Sequence, residues 1–145
     1  MSKFDAPDLG TKARHMGGYG NVAMVWGSVT PTAGASGDVY RPVLIPGGLE
    51  VTDVDIVNDD LDTGSALAAK IGYAPVNADD GPAAVDDYFS AAGTFLTAAG
   101  RKQCAFQPIK FEQPVFLTIT LTVAATTFAS GKVTAIVKGD GIGRK

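Results

Sequence analysis

A chain of 145 residues has the size of a single domain, and with 46% apolar and 19% charged residues it is too rich in core-forming side chains to stay disordered. Its longest apolar runs, such as Val22 to Trp26 and Val115 to Leu117, fall far short of the roughly 20 residues of a membrane-spanning helix. The net charge of −3 is unevenly spread: Glu50 to Asp87 holds ten acids against the single base Lys70, and the remainder holds eleven bases against five acids.

From the N-terminus, residues 1–20 contain Pro7, Gly10, Gly17, Gly18 and Gly20 with little apolar periodicity, which predicts an extended arm. The same stretch lacks the apolar segment of a signal peptide, so the product is expected to be cytosolic when made. Short strands follow at Val22 to Val29, Val39 to Ile45 and Leu49 to Val57. In the last of these the apolar phase changes from Leu49 and Val51 to Val54 and Ile56, which calls for a β-bulge near Thr52-Asp53. Asn58-Asp59-Asp60-Leu61-Asp62-Thr63-Gly64 reads as a hairpin turn leading into an alternating strand at Leu67 to Tyr73. Pro82 to Ala92 carries the signals of one short helix: proline at the first position, Asp86 and Asp87 in the early turns, and Gly93 as a stop.

Gln103 to Phe111 reads as a further strand. The clearest period of two is Val115 to Val123, where Val115, Leu117, Ile119, Leu121 and Val123 alternate with Phe116 and threonines. Lys132 to Lys138 repeats that logic. Short strands set apart by Gly, Pro, Asp and Asn predict an all-β, jelly-roll-like sandwich of about eight strands. The expected organisation is an arm at 1–20, a sandwich at 21–139 and a tail at 140–145.

Residues that would carry chemistry are few. His15 lies among glycines in the expected arm, without the packing and second hydrogen-bonding group that hold a catalytic imidazole. Cys104 is the only cysteine, which excludes an intrachain disulfide, and with one histidine the usual zinc and copper ligand sets are missing. Its setting beside Ala105 and Phe106 fits a small buried hydrophobe. Oxygens in Asn58 to Gly64 are spaced as calcium would require, but no acid follows at the distal position of an EF-hand loop. Asp79-Asp80 and Asp86-Asp87 read as solvated or capping acids. Gly139 to Gly143 has no following helix to present to a phosphate. Trp26 and Phe106 read as core residues, and the acidic balance argues against nucleic acid as the main partner. No enzyme activity, cofactor or metal is expected.

The stretch Asp38 to Pro75 resembles a pattern in small tailed-phage proteins encoded beside the major capsid protein. The pattern comprises a strand ending Leu44-Ile45-Pro46-Gly47-Gly48, a second strand, the acidic turn, and a third strand ending Lys70-Ile71-Gly72-Tyr73. The resemblance is to jelly-roll decoration, or cement, proteins, and it covers about a quarter of the chain. It implies a structural virion protein, made in the host cytoplasm, that sits on the capsid exterior as a dimer or trimer and holds major capsid protein subunits together. No membrane or nucleic-acid partner is implied. In the expected arm Phe4 and Leu9 offer apolar anchors and Lys12 and Arg14 offer charge for gripping a neighbouring subunit, and Arg144 and Lys145 carry the basic excess at the other end. The competing reading is a small carbohydrate- or calcium-binding β module of a phage tail or secreted protein. A glycan site would want exposed aromatics, and aromatics are 8% of the chain.

Overall fold

The computed structural model describes residues 1–7 and 22–143. They form β1 (Lys3–Asp5), β2 (Val22–Val29), β3 (Val39–Arg41), β4 (Leu44–Ile45), β5 (Leu49–Asn58), β6 (Ala68–Pro75), β7 (Val85–Gly93), β8 (Gly100–Gln103), β9 (Ile109–Phe111), β10 (Val115–Val123) and β11 (Val133–Gly141). One 3-10 turn, Phe95–Thr97, is the only helical element among the described residues.

The period of two in β10 does what alternation must do on a pleated strand: Val115, Leu117, Ile119 and Leu121 all point inward and are buried. Around β10 one sheet forms in the order β1-β3-β10-β6-β7, with β4 also beside β10. The second sheet runs β2-β11-β5-β8, with β9 also beside β5. Leu49, Val51, Val54 and Ile56 of β5 and Val133, Ala135 and Val137 of β11 face β10 and β6 across the core. Each such valine, leucine or isoleucine side chain, fully buried, contributes roughly 1.5–3 kcal/mol. The molecule is a jelly-roll-like β-sandwich.

The phase change in β5 is a bulge. Lys138 of β11 pairs with Asp53 and the next residue, Gly139, with Val51, so Thr52 is the extra residue. A Cβ on Gly139 would lie 2.2 Å from the Glu50 carbonyl oxygen, which accounts for glycine at that point.

Several expectations are corrected. Val85–Gly93, read as a helix at Pro82 to Ala92, is strand β7, paired antiparallel with β6. Its Tyr88 and Phe89 enter an edge-to-face cluster with Tyr73, Phe106 and Phe111, with centroids 4.8 Å apart for Tyr73–Phe111 and Phe89–Phe106. Burial of these rings outweighs a weak local helix preference. Asn58 to Gly64 is no hairpin turn: β5 and β6 belong to different sheets, so the acidic run is an arch from one sheet to the other. The expected strand Gln103 to Phe111 divides into β8 and β9, with an irregular stretch between them. Within the described part of the expected arm, Lys3–Asp5 is a strand that pairs in parallel with Val39–Arg41. There Ala6 is buried, and Asp5 accepts two hydrogen bonds from Arg41, at 2.5 and 2.6 Å.

Candidate interaction surfaces

The acidic run was the strongest candidate for a ligand site, and its geometry gives it other work. Asp62 is completely buried, and its carboxylate accepts backbone N–H groups from both sides of the arch. Oδ1 takes Gly64 and Thr127, each at 2.9 Å; Oδ2 takes Ala66 at 2.8 Å, Leu67 at 2.9 Å and Thr126 at 3.2 Å. Burial alone would push this carboxyl up, but the amides of Thr127, Gly64, Leu67 and Thr126 outweigh burial and hold it well below the usual carboxylate range. Asp59 Oδ2 accepts the Lys132 amide at 2.7 Å, and Asn58 Nδ2 donates to the carbonyls of Asp59, Phe95 and Ala98. The run therefore fastens the β5–β6 arch to the β10–β11 connection, which also crosses between the sheets.

A different surface stands out on the second sheet. Every residue of β2 pairs with β11 without a register shift, and no other described strand lies on its far side. Ala23, Val25 and Val29 point inward, while Val22, Met24 and Trp26 point outward, with 78%, 55% and 48% of their surface exposed. Trp26, read from sequence as core, is thus a surface residue. At Gly27 the inward position must be glycine because the sheets close tightly there: a Cβ would lie 2.2 Å from the Pro42 carbonyl oxygen. Ile136 of β11 is half-buried opposite Trp26 and extends the apolar column. Beyond it lies Asp55 of β5, whose Oδ2 is 2.6 Å from Arg101 Nη2. Sequence reasoning missed this column because both faces of β2 are apolar.

Of the residues expected to make contacts, only Phe4 lies within the described part. It is half-buried and edge-on to Tyr40, with centroids 5.7 Å apart, a contact that ties β1 to β3. Leu9, Lys12, Arg14, Arg144 and Lys145 lie outside the described residues, as does His15. Cys104 is buried, and burial, opposed by the nearby Lys102, pushes its thiol up to about 11. Too little thiolate then forms at neutral pH for attack. We expect the native protein to react with a disulfide reagent at pH 8 at least about tenfold more slowly than the urea-unfolded chain, followed by absorbance of the released thiolate.

No family model matches this sequence, and no curated protein matches it. Solved structures do share the fold. A chain of the capsid of Ralstonia phage GP4 superposes with a TM-score of 0.77 at 21% identity, covering 97% of this chain and 99% of that one. A chain of the cyanophage Pam1 capsid asymmetric unit gives 0.65 at 24% identity over 88% of this chain and 90% of that one. A chain of the acid-stable capsid of Helicobacter pylori bacteriophage KHP30 gives 0.56 at 14% identity over 83% and 88%. At these identities the likeness is one of fold.

Proposed function

We propose that this chain is a structural virion protein of a tailed phage. In this reading it is a decoration, or cement, protein that binds the capsid exterior and stabilises contacts between major capsid protein subunits. The observation that carries the reading is the match to a chain of a phage capsid over nearly the whole length of both. A sandwich with its own closed core attaches through its surface, and weak contacts repeated over many copies reinforce a shell by multivalency. The acidic arch, the main support for a calcium-binding module, is accounted for by its backbone partners.

In this reading the contact residues at the ends are Phe4, Leu9, Lys12, Arg14, Arg144 and Lys145. Purified protein should co-sediment saturably with shells that lack it. Reversing Lys12 and Arg14 to glutamate should weaken that binding by about tenfold at low salt, because two surface charge pairs are each worth up to about 1 kcal/mol, while leaving the thermal transition unchanged. Shells that bind none of the protein, or particles that carry it only in the tail or interior, would refute the reading.

A further inference from the structure

The edges of the two sheets differ in a way that singles out β2. An open strand edge is a template for pairing, and folded proteins blunt such edges with charge, shortness, proline or bulges. Edge strand β1 has three residues, two of them the charged Lys3 and Asp5. β7 carries the exposed Asp86 and Asp87, and two register shifts interrupt its pairing with β6. On the second sheet, β8 has four residues including Arg101 and Lys102, and β9 has three including Lys110. β2 has none of these devices. Its eight residues, Val-Ala-Met-Val-Trp-Gly-Ser-Val, hold no charge and no proline and pair regularly throughout, with three large apolar side chains in the open.

We infer that β2 is the homodimer edge, pairing antiparallel with β2 of a second copy so that two five-stranded sheets join into one. The occupant follows from charge and symmetry. Across a two-fold axis a patch meets itself, so a charged edge would repel its copy, whereas β2 presents only backbone groups and neutral side chains. An antiparallel strand paired with itself also matches each backbone donor to an acceptor. Directly opposite residues must share a face, and a two-fold axis at Val25 satisfies this. It sets Met24 opposite Trp26 of the partner subunit and Val22 opposite Ser28 of the partner subunit. The exposed methionine and tryptophan then form a sulfur–aromatic pair twice per dimer. This inference does not depend on the capsid reading.

Sedimentation equilibrium of the full chain at micromolar concentration should give twice 14.9 kDa. Met24→Lys and Trp26→Glu should each weaken the dimer at least about tenfold, and the two together should restore it to within about threefold, because opposite charges then face each other across the axis. Val22→Lys with Ser28→Glu is an independent pair in the same register, and melting curves monitored by circular dichroism establish that each variant folds. A wild type that stays monomeric to about 100 μM, a trimer, single variants that dimerise like wild type, or double variants that stay dissociated would each overturn the inference. Co-sedimentation of the dissociated variants with shells is a separate reading, so dimer and capsid binding succeed or fail independently.

Discussion

Asp62→Ala is expected to lower the melting temperature by on the order of 10 °C and to loosen one end of the sandwich first. The side chain is small, yet its two oxygens are the acceptors for amides of Gly64, Ala66, Leu67, Thr126 and Thr127. Alanine removes a fully buried acceptor from all five donors at once, and the Leu67 amide, which is buried, is left with no partner, which costs more than a hydrogen bond contributes. Asp62→Asn should be nearly as damaging despite its shape. An amide keeps one acceptor oxygen and turns the other position into a donor, so N–H would face N–H on one side of the arch. Asp60→Asn is the contrast, since Asp60 accepts one amide, that of Asp62, at 2.9 Å. It should shift the melting temperature by no more than about 2 °C. Hydrogen exchange should show the loss of protection beginning at Thr126 and Thr127.

The pH dependence follows with a definite sign. The folded Asp62 carboxyl lies below its ordinary value of 3.8, so the ionised form is the one the fold favours. Its contribution is complete above about pH 4 and is lost as the pH falls through the depressed folded value. The gap in melting temperature between wild type and Asp62→Ala should therefore be constant from pH 7 to 5 and should narrow below pH 4. Thermal scans at pH 7, 5, 3 and 2 read this directly, and a gap that widened with acid would contradict the lock.

What the sequence showed of this architecture divides by range. Strand β10 was legible because its alternation is complete within nine residues, and the bulge at Thr52 because the phase change lies inside one strand. β2 was legible as a strand but not in its facing. Val22, Met24 and Trp26 alternate with Ala23, Val25 and Gly27, and no polarity difference marks the inner side. Size marks it instead, through Gly27 meeting the Pro42 backbone, and only the packed sheets show that. The false helix at Pro82 came from honest local signals overridden by rings at Phe106 and Phe111. The acidic run misled for the same reason, because two of its partners, Thr126 and Thr127, lie 64 and 65 residues away. The contact of Phe4 with Tyr40 was equally illegible, because it follows from the parallel register of β1 with β3, 36 residues along the chain.

Glycine substitutions supply the second large effect, and its sign should change with position. At Gly72 of β6 a Cβ would lie 2.0 Å from the Val85 carbonyl oxygen and 2.4 to 2.6 Å from backbone atoms of Asp86. These atoms belong to the main chain of β7, which passes directly over Gly72 between its pairings at Tyr73–Val85 and Ile71–Ser90. A side-chain clash would resolve by a rotamer change, but a backbone clash resolves only if β7 moves. Moving β7 also pulls Phe89, which is 1% exposed, away from Phe106 and Tyr73. Gly72→Ala should therefore destabilise by about 1–3 kcal/mol, the range for a core forced to accept extra volume, or several degrees in melting temperature. At Gly93, the last residue of the same strand β7, a Cβ would meet nothing within 4 Å, and the backbone is not in the left-handed region. Gly93→Ala should be neutral or stabilising by about 0.4–1 kcal/mol, because alanine narrows the unfolded ensemble without straining the fold. Urea titrations of the two variants beside wild type measure both. Equal shifts of the same sign would mean that β7 does not lie over Gly72 as described, whereas opposite signs would locate the closest approach of the two strands at that residue.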